Sequence, residues 1–318
     1  MTITIVAPAC AFTDYGYTAI ELFDRLREYG FYTKFKPLSV CEQSGKRRVP
    51  IPQIVKDNFV TVPEGFEVWV CDVSTIPQPG NDALLVSTLH GITKECAKVL
   101  NRFRSIACVS GWTQVEIAQK LGVTVPVSRI HPGVSISIFD NEYRNTLKSL
   151  TPTKQQPLRF LASGKNDRDL VLEAWKESFK GVQDVRLCVM CDDPDLFSIQ
   201  DSRVNIVEYP TNNRQFANVM AHHDAFIVPS TKCDFRIFEQ CFAASLPTIG
   251  ITLHGQGLTA WSKLEGTHFT CDKMELIGQM RFAYQDRKAL EDTMILRPVE
   301  GWESIEQTVK SVYDRIPQ

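Results

Sequence analysis

The chain has 318 residues, 43% of them hydrophobic and 23% charged, with a formal net charge of −2. That length exceeds one small domain and suits two, and the composition is that of a globular protein, not of a disordered or low-complexity one. No run approaches the roughly 18 apolar residues of a membrane span. Met1 leads straight into the β-type run TITIVAPA, without the basic, apolar and small-residue regions of a signal peptide.

In chain order, ITIVAP reads as a buried strand, YTAIELFDRLREYG as a helix stopped at Gly30, and FYTKFK as a second strand. Further buried strands are expected at FEVWVCD, ALLVST and SIACVS, with KECAKVLNRF and TQVEIAQKLG as helices. Residues 146–157, TLKSLTPTKQQP, are polar with two prolines and make the best linker. The pattern then restarts with strand LRFLAS, helix DLVLEAWKESF, strands VRLCVMC and VNIVEY, helix RQFANVMAHH and strand AFIVPS. A strand-to-helix stretch, PSTKCDFRIFEQCFAASLPTIG, follows, and residues 302–318 read as a final helix that could cross back toward the first domain.

Strands alternating with helices predict α/β architecture with parallel sheets. The expected division is a Rossmann-like domain over 1–150 and another over 151–318. Ligands of such sheets bind beyond the carboxyl ends of the strands, which in a two-domain chain means a cleft between the sheets. No internal repeat of 20–50 residues is visible.

The ten cysteines show no paired spacing and read as reduced thiols of a cytosolic protein. Cys188 and Cys191 stand three apart on an expected strand, so they point to opposite faces, and no metal site is expected. The small net charge hides an asymmetry. Residues 25–56 hold eight basic residues against Glu28 and Glu42, a net +6 that leaves −8 for the rest. Tyr29, Phe31, Tyr32 and Phe35 lie among these charges, and SGKRRVPIP within the window reads as an exposed loop.

The stretch from Pro229 places Asp234, Arg236 and Glu239 where a strand hands over to a helix. Free N–H groups and a partial positive charge at a helix start suit a pyrophosphate. The plainer alternative makes Asp234 an N-cap and puts Glu239 on a solvated helix face.

Three segments carry a resemblance to a known family. SIACVSGWTQVEIAQKLGV followed by VSRIHPGVSISIFD is similar to the end of the N-terminal domain in GT-B glycosyltransferases of family 4. LRFLASGKNDRDLVLEAW resembles the opening of their C-terminal domain. PSTKCDFRIFEQCFAASLPTIG resembles their strand–loop–helix bearing two glutamates. The resemblance implies a GT-B fold and retaining transfer of a sugar from a UDP-sugar, with no metal or other cofactor. It puts Asp234 at the first glutamate, holding the donor's sugar, and Gln240 or its neighbour Glu239 at the second, binding the ribose. The aspartate and a shortened loop keep a pentose such as arabinose beside glucose as candidate sugars. The family's diphosphate-neutralising arginine falls on Ser163, which shifts that burden to Lys165, Arg168 or Arg236. His90, at an expected strand end, takes the place of a histidine near the reacting carbon. Gly16 marks the first strand-to-helix turn on the donor's path, and Gly255 and Gly257 resemble flanking glycines. His131 is a second candidate, while His222, His223, His254 and His268 read as structural.

In GT-B enzymes the N-terminal domain usually holds the acceptor, and the basic window falls there. Clustered Lys and Arg favour a polyanion, and interleaved aromatics suit stacking on bases. With Lys46, Arg47 and Arg48 as contacts, the chain resembles phage-type enzymes that glycosylate hydroxymethylcytosine in DNA, working in the cytoplasm and away from membranes. The alternatives are a glycan or small-molecule acceptor, or a non-catalytic binding protein on the same shell.

Overall fold

The computed structural model describes residues 2–11, 13–44, 47–73, 79–80, 82–87, 92–109, 112–130, 134–135, 138–139, 142, 145–146, 156–163, 167–196, 199–229, 235–250, 271–288 and 303–315. They divide into two compact units. Unit 1 takes residues 1–44, 48–133 and 300–318, and unit 2 takes 45–47 and 134–299. The division comes at 133/134, ahead of the polar 146–157 segment, because Val134 and Phe139 are already buried in the core of unit 2.

Unit 1 is built on a six-stranded parallel sheet. Its strands are β1 (Thr2–Cys10), β2 (Tyr32–Cys41), β5 (Phe66–Val70), β6 (Ala83–Ser87), β7 (Ser105–Cys108) and β8 (Val127–Arg129), in the spatial order β2-β1-β5-β6-β7-β8. Two-residue strands β3 (Gln43–Ser44) and β4 (Arg47–Arg48) pair separately. The helices are α1 (Asp14–Glu28), α2 (Gln53–Lys56), α3 (Lys94–Leu100), α4 (Trp112–Lys120) and a C-terminal one, Glu303–Tyr313.

Side chains alternate across β1, so the sheet buries both faces. Ile3, Ile5 and Ala7 join Leu22, Phe23 and Leu26 of α1 in one core, whereas Val6 joins Leu100 and Ala118, from α3 and α4, in another. Thr13 starts α1 by accepting a hydrogen bond from the Gly16 N–H at 3.1 Å. Gly30 stops the helix in the left-handed region, with φ of 87°.

Unit 2 has a five-stranded parallel sheet in the order β11-β10-β9-β12-β13. These are β9 (Leu158–Ser163), β10 (Val185–Cys191), β11 (Val204–Glu208), β12 (Ala225–Val228) and β13 (Thr248–Gly250). Accompanying it are the α-helices α5 (Arg168–Ser178), α6 (Asn213–Ala221), α7 (Phe235–Ala243) and α8 (Lys273–Gln285). The unit 1 helix Glu303–Tyr313 is α9. Rings of Phe160, Trp175 and Phe179 stack edge-on or tilted 4.7–5.9 Å apart under β9. Lys273 of α8 pairs with Glu177 of α5 at 2.6 Å, fixing these two helices on each other.

The chain-order reading of the strands agrees with these elements, with additions and one correction. The stretch SGKRRVPIP is not an open loop throughout. Arg47 and Arg48 form β4, and Val49 and Ile51 are buried because their apolar side chains turn inward. Glu42 holds this turn, accepting from the Ile51 N–H at 2.8 Å and pairing with Lys56 at 2.6 Å. No helix among the described residues is long and apolar enough to cross a membrane.

Candidate functional site

In each sheet the chain reverses its direction of growth once. In unit 1, β1 is followed outward by β2 and then on its other side by β5. In unit 2, β9 is followed outward by β10 and β11, and then on its other side by β12. Such switch points leave a crevice beyond the carboxyl ends of the two strands, where ligands of open α/β sheets bind. In unit 2 that crevice opens beside Ser163, the last residue of β9, and Pro229, which follows β12.

Ser163 is half-buried, and its hydroxyl is hydrogen-bonded to the phenol of Tyr209. Tyr209 follows β11, two strands away, and its N–H donates to the Cys191 carbonyl at 3.0 Å. Its side chain therefore spans the end of β10 to reach the central strand. Arg168 is the first residue of α5 and not part of the preceding loop. Its Nε donates to Asp169 at 2.9 Å. Arg168 also acts on the Cys191 thiol, whose pKa is pushed up chiefly by burial. Ser163, Arg168, Cys191 and Tyr209 thus cluster at the carboxyl edge of β9 to β11.

Beyond β12 and β13 the edge is held by backbone contacts. The Cys271 N–H donates to the Pro229 carbonyl at 2.8 Å. The Cys271 thiol is pushed up to about 12, first by burial and then by Glu275, Asp272 and Asp167, so it stays neutral at physiological pH. Gly250 ends β13 with φ of 118°, and a Cβ there would fall 2.0 Å from the Val228 carbonyl oxygen. The amide of Gln279 grips this residue at both ends, accepting from the Gly250 N–H at 2.5 Å and donating to its carbonyl at 2.8 Å. Neither Tyr209 nor Gln279 was singled out from the sequence.

Glu239 and Gln240 are both in α7, at 1% and 4% exposure. Glu239 is therefore not on a solvated face. At ~100° per residue, Gln240 falls on the side of Ile237, Cys241 and Ala244, which pack in the unit 2 core. Glu239 falls between Phe242 and Ala243, which also pack against that core. Arg236 stands in the first turn of α7.

In unit 1, Gly16 packs α1 against its own strand. A Cβ there would lie 2.0 Å from the Cys10 carbonyl oxygen and 2.9 Å from that of Pro8. Arg48 is exposed. Both acids of the basic window are occupied, Glu28 by Arg25 at 2.8 Å and Glu42 by Lys56. Tyr29 and Tyr32 are 58% and 54% exposed, and the Lys34 ammonium lies 4.8 Å from the centre of the Tyr32 ring. His222 and His223 each place Nδ1 on a backbone carbonyl one helical turn back, at 2.7 and 2.6 Å. Burial holds the His223 pKa below its ordinary value. His90, Asp234, Lys165, Lys46, His131, His254, His268, Gly255 and Gly257 lie outside the described residues. Among those described, no cluster of His, Cys, Asp and Glu could hold a metal ion, and the nine cysteines are free thiols.

No family model matches the chain, and no curated protein is similar to it in sequence. Solved structures are similar in fold over its whole length. WaaG, a glycosyltransferase involved in lipopolysaccharide biosynthesis, is 12% identical with a TM-score of 0.64, over 98% of this chain and 99% of that one. Sucrose-phosphate synthase from Thermosynechococcus elongatus is 12% identical with a TM-score of 0.64, over 99% and 98%. Anabaena HepE, solved in complex with UDP and glucose, is 10% identical with a TM-score of 0.65, over 99% and 100%. At such identities the likeness is one of fold, and the chain has the two-unit GT-B architecture of these glycosyltransferases.

Proposed function

We propose that the chain is a retaining glycosyltransferase that moves a sugar from a UDP-sugar to a hydroxyl acceptor. The observation carrying this reading is the unit 2 switch point. Hydroxyl, guanidinium and helix-start groups gather there, in a fold that a UDP- and glucose-bound neighbour shares end to end. The developing charge on a leaving diphosphate must be neutralised, and fixed cations do this without reorganisation. Lys165, Arg168 and Arg236 take that role, which requires no metal. Glu239 is the better candidate for the ribose, since a carboxylate accepts from both hydroxyls of a diol. Asp234 holds the sugar, glucose or arabinose, and His90 lies toward the reacting carbon, with Gly16 and Ser163 along the donor's path.

For the acceptor we propose hydroxymethylcytosine in DNA, met in the cytoplasm. The support is that Arg25 and Lys56 already occupy the acids of the basic window, leaving Lys46, Arg47 and Arg48 to contribute net positive charge. The test offers a panel of UDP-sugars with hydroxymethylated and unmodified duplexes, and weighs the digested nucleosides. One sugar mass gained on the modified base alone is expected. UDP-sugar hydrolysis without transfer to DNA would keep the transferase and overturn the acceptor. Binding with no turnover on any acceptor would leave a nucleotide-sugar-binding protein.

A further inference from the structure

We infer that Tyr209 is a positioning residue of the donor site, aiming the Ser163 hydroxyl at the diphosphate of a bound nucleotide. The inference rests on the UDP-sugar reading above. Ser163 ends the central strand at the switch point, where a ligand comes nearest to the sheet. A serine hydroxyl has one proton and rotates freely, so on its own it is a poorly directed donor. Here the phenol of Tyr209 bonds to it across the end of β10.

The direction of that bond follows from acidity and burial. Tyr209 is 9% exposed, whereas Ser163 is half-buried. A phenol, with a pKa of about 10, is a better donor than an aliphatic alcohol. Tyr209 therefore donates to the Ser163 oxygen, and the serine proton is left for an oxygen of the ligand. The ionised oxygens of a diphosphate accept, so this is the polarity it needs. The pair stands where the resemblance places an arginine. It supplies a fixed neutral donor there and leaves the charge to the neighbouring Arg168.

Calorimetric titration of the full chain with UDP and with uridine tests this, using wild type, Tyr209→Phe, Ser163→Ala and the double variant. Each single change is expected to raise the Kd for UDP about ten- to a hundredfold, the scale of one hydrogen bond to a charged group. The double variant is expected to bind UDP no worse than either single one, because both changes remove the same interaction. Uridine, which lacks the diphosphate, should bind all four alike, and a purely structural role would not separate the two ligands. Unchanged UDP affinity in Tyr209→Phe, equal losses for UDP and uridine, or multiplied losses in the double variant would each overturn the inference while leaving the donor reading in place. A wild-type chain that binds neither UDP nor any UDP-sugar overturns that reading, and this inference with it. Should Tyr209→Phe fail to fold, Ser163→Thr against Ser163→Ala carries the test. Threonine keeps the hydroxyl and should keep the affinity, and a threonine variant as weak as alanine refutes the aimed donor.

Discussion

Asp201 and Arg203 form a tight pair at the start of β11. The guanidinium donates to both carboxylate oxygens, at 2.9 and 2.6 Å, and to the Phe179 and Val182 carbonyls after α5, while lying over the Trp175 ring. Arg203 holds the Asp201 carboxyl well below its ordinary range, at about 2. The folded pKa lies below the unfolded one, so the pair stabilises fully above about pH 4 and loses that contribution as pH falls toward 2. The shift corresponds to about 2 kcal/mol. Asp201→Asn is accordingly expected to cost about that much at pH 7 and to flatten the acid limb between pH 4 and 2. Urea unfolding at pH 7 and pH 3 checks both, and a variant that loses as much stability at low pH as at neutral pH would refute the assignment.

Among the elements, α8 and β13 show where a sequence is readable and where it is not. Most strands of both sheets are legible because each is a short run of β-branched and apolar residues bounded by turn signals. Helix α8 is not, since KMELIGQMRFAYQ carries apolar residues around much of its circumference and a glycine in its middle. Its most consequential position, Gln279, is polar yet 6% exposed, and only the fold explains that through the two bonds to Gly250. Strand β8 is three residues of mixed burial and leaves no periodic trace. The site divides in the same way. Ser163 and Arg168 stand next to recognisable strand ends, whereas Tyr209 reads as the tail of VNIVEY and meets Ser163 across 46 residues of sequence. The α8–β13 clamp is testable directly. Gln279→Leu keeps the volume roughly and removes both partners of a buried backbone, which should cost about 2–4 kcal/mol. Gln279→Glu keeps the acceptor for the Gly250 N–H but sets a buried carboxylate against the Gly250 carbonyl and Glu275, so it should cost at least as much as leucine. Equal unfolding midpoints for the three proteins would show that the clamp contributes nothing.

At the scale of the molecule, unit 1 is discontinuous in sequence and unit 2 nearly continuous. Helix α9 follows the whole of unit 2, yet it lies against α1 and completes the unit 1 core. Val309 is fully buried there, and Tyr313 meets Phe66 edge-on at 5.9 Å. Glu306, also buried, acts electrostatically on Arg25 of α1, and Arg104 reaches the Arg315 carbonyl. Removing residues 300–318 therefore strips apolar contacts from unit 1 and leaves the unit 2 core, from Val134 to Ala283, with all its members. Burial of the valine and the aromatic contact together are worth about 3 kcal/mol. The truncated chain is expected to unfold in two calorimetric steps, with the unit 1 step lowered by many degrees and the unit 2 step unmoved. An isolated 134–299 chain should reproduce the second step alone. If truncation lowers both steps equally, the two cores unfold as one cooperative body, and α9 stabilises the molecule as a whole instead of the unit whose core it closes.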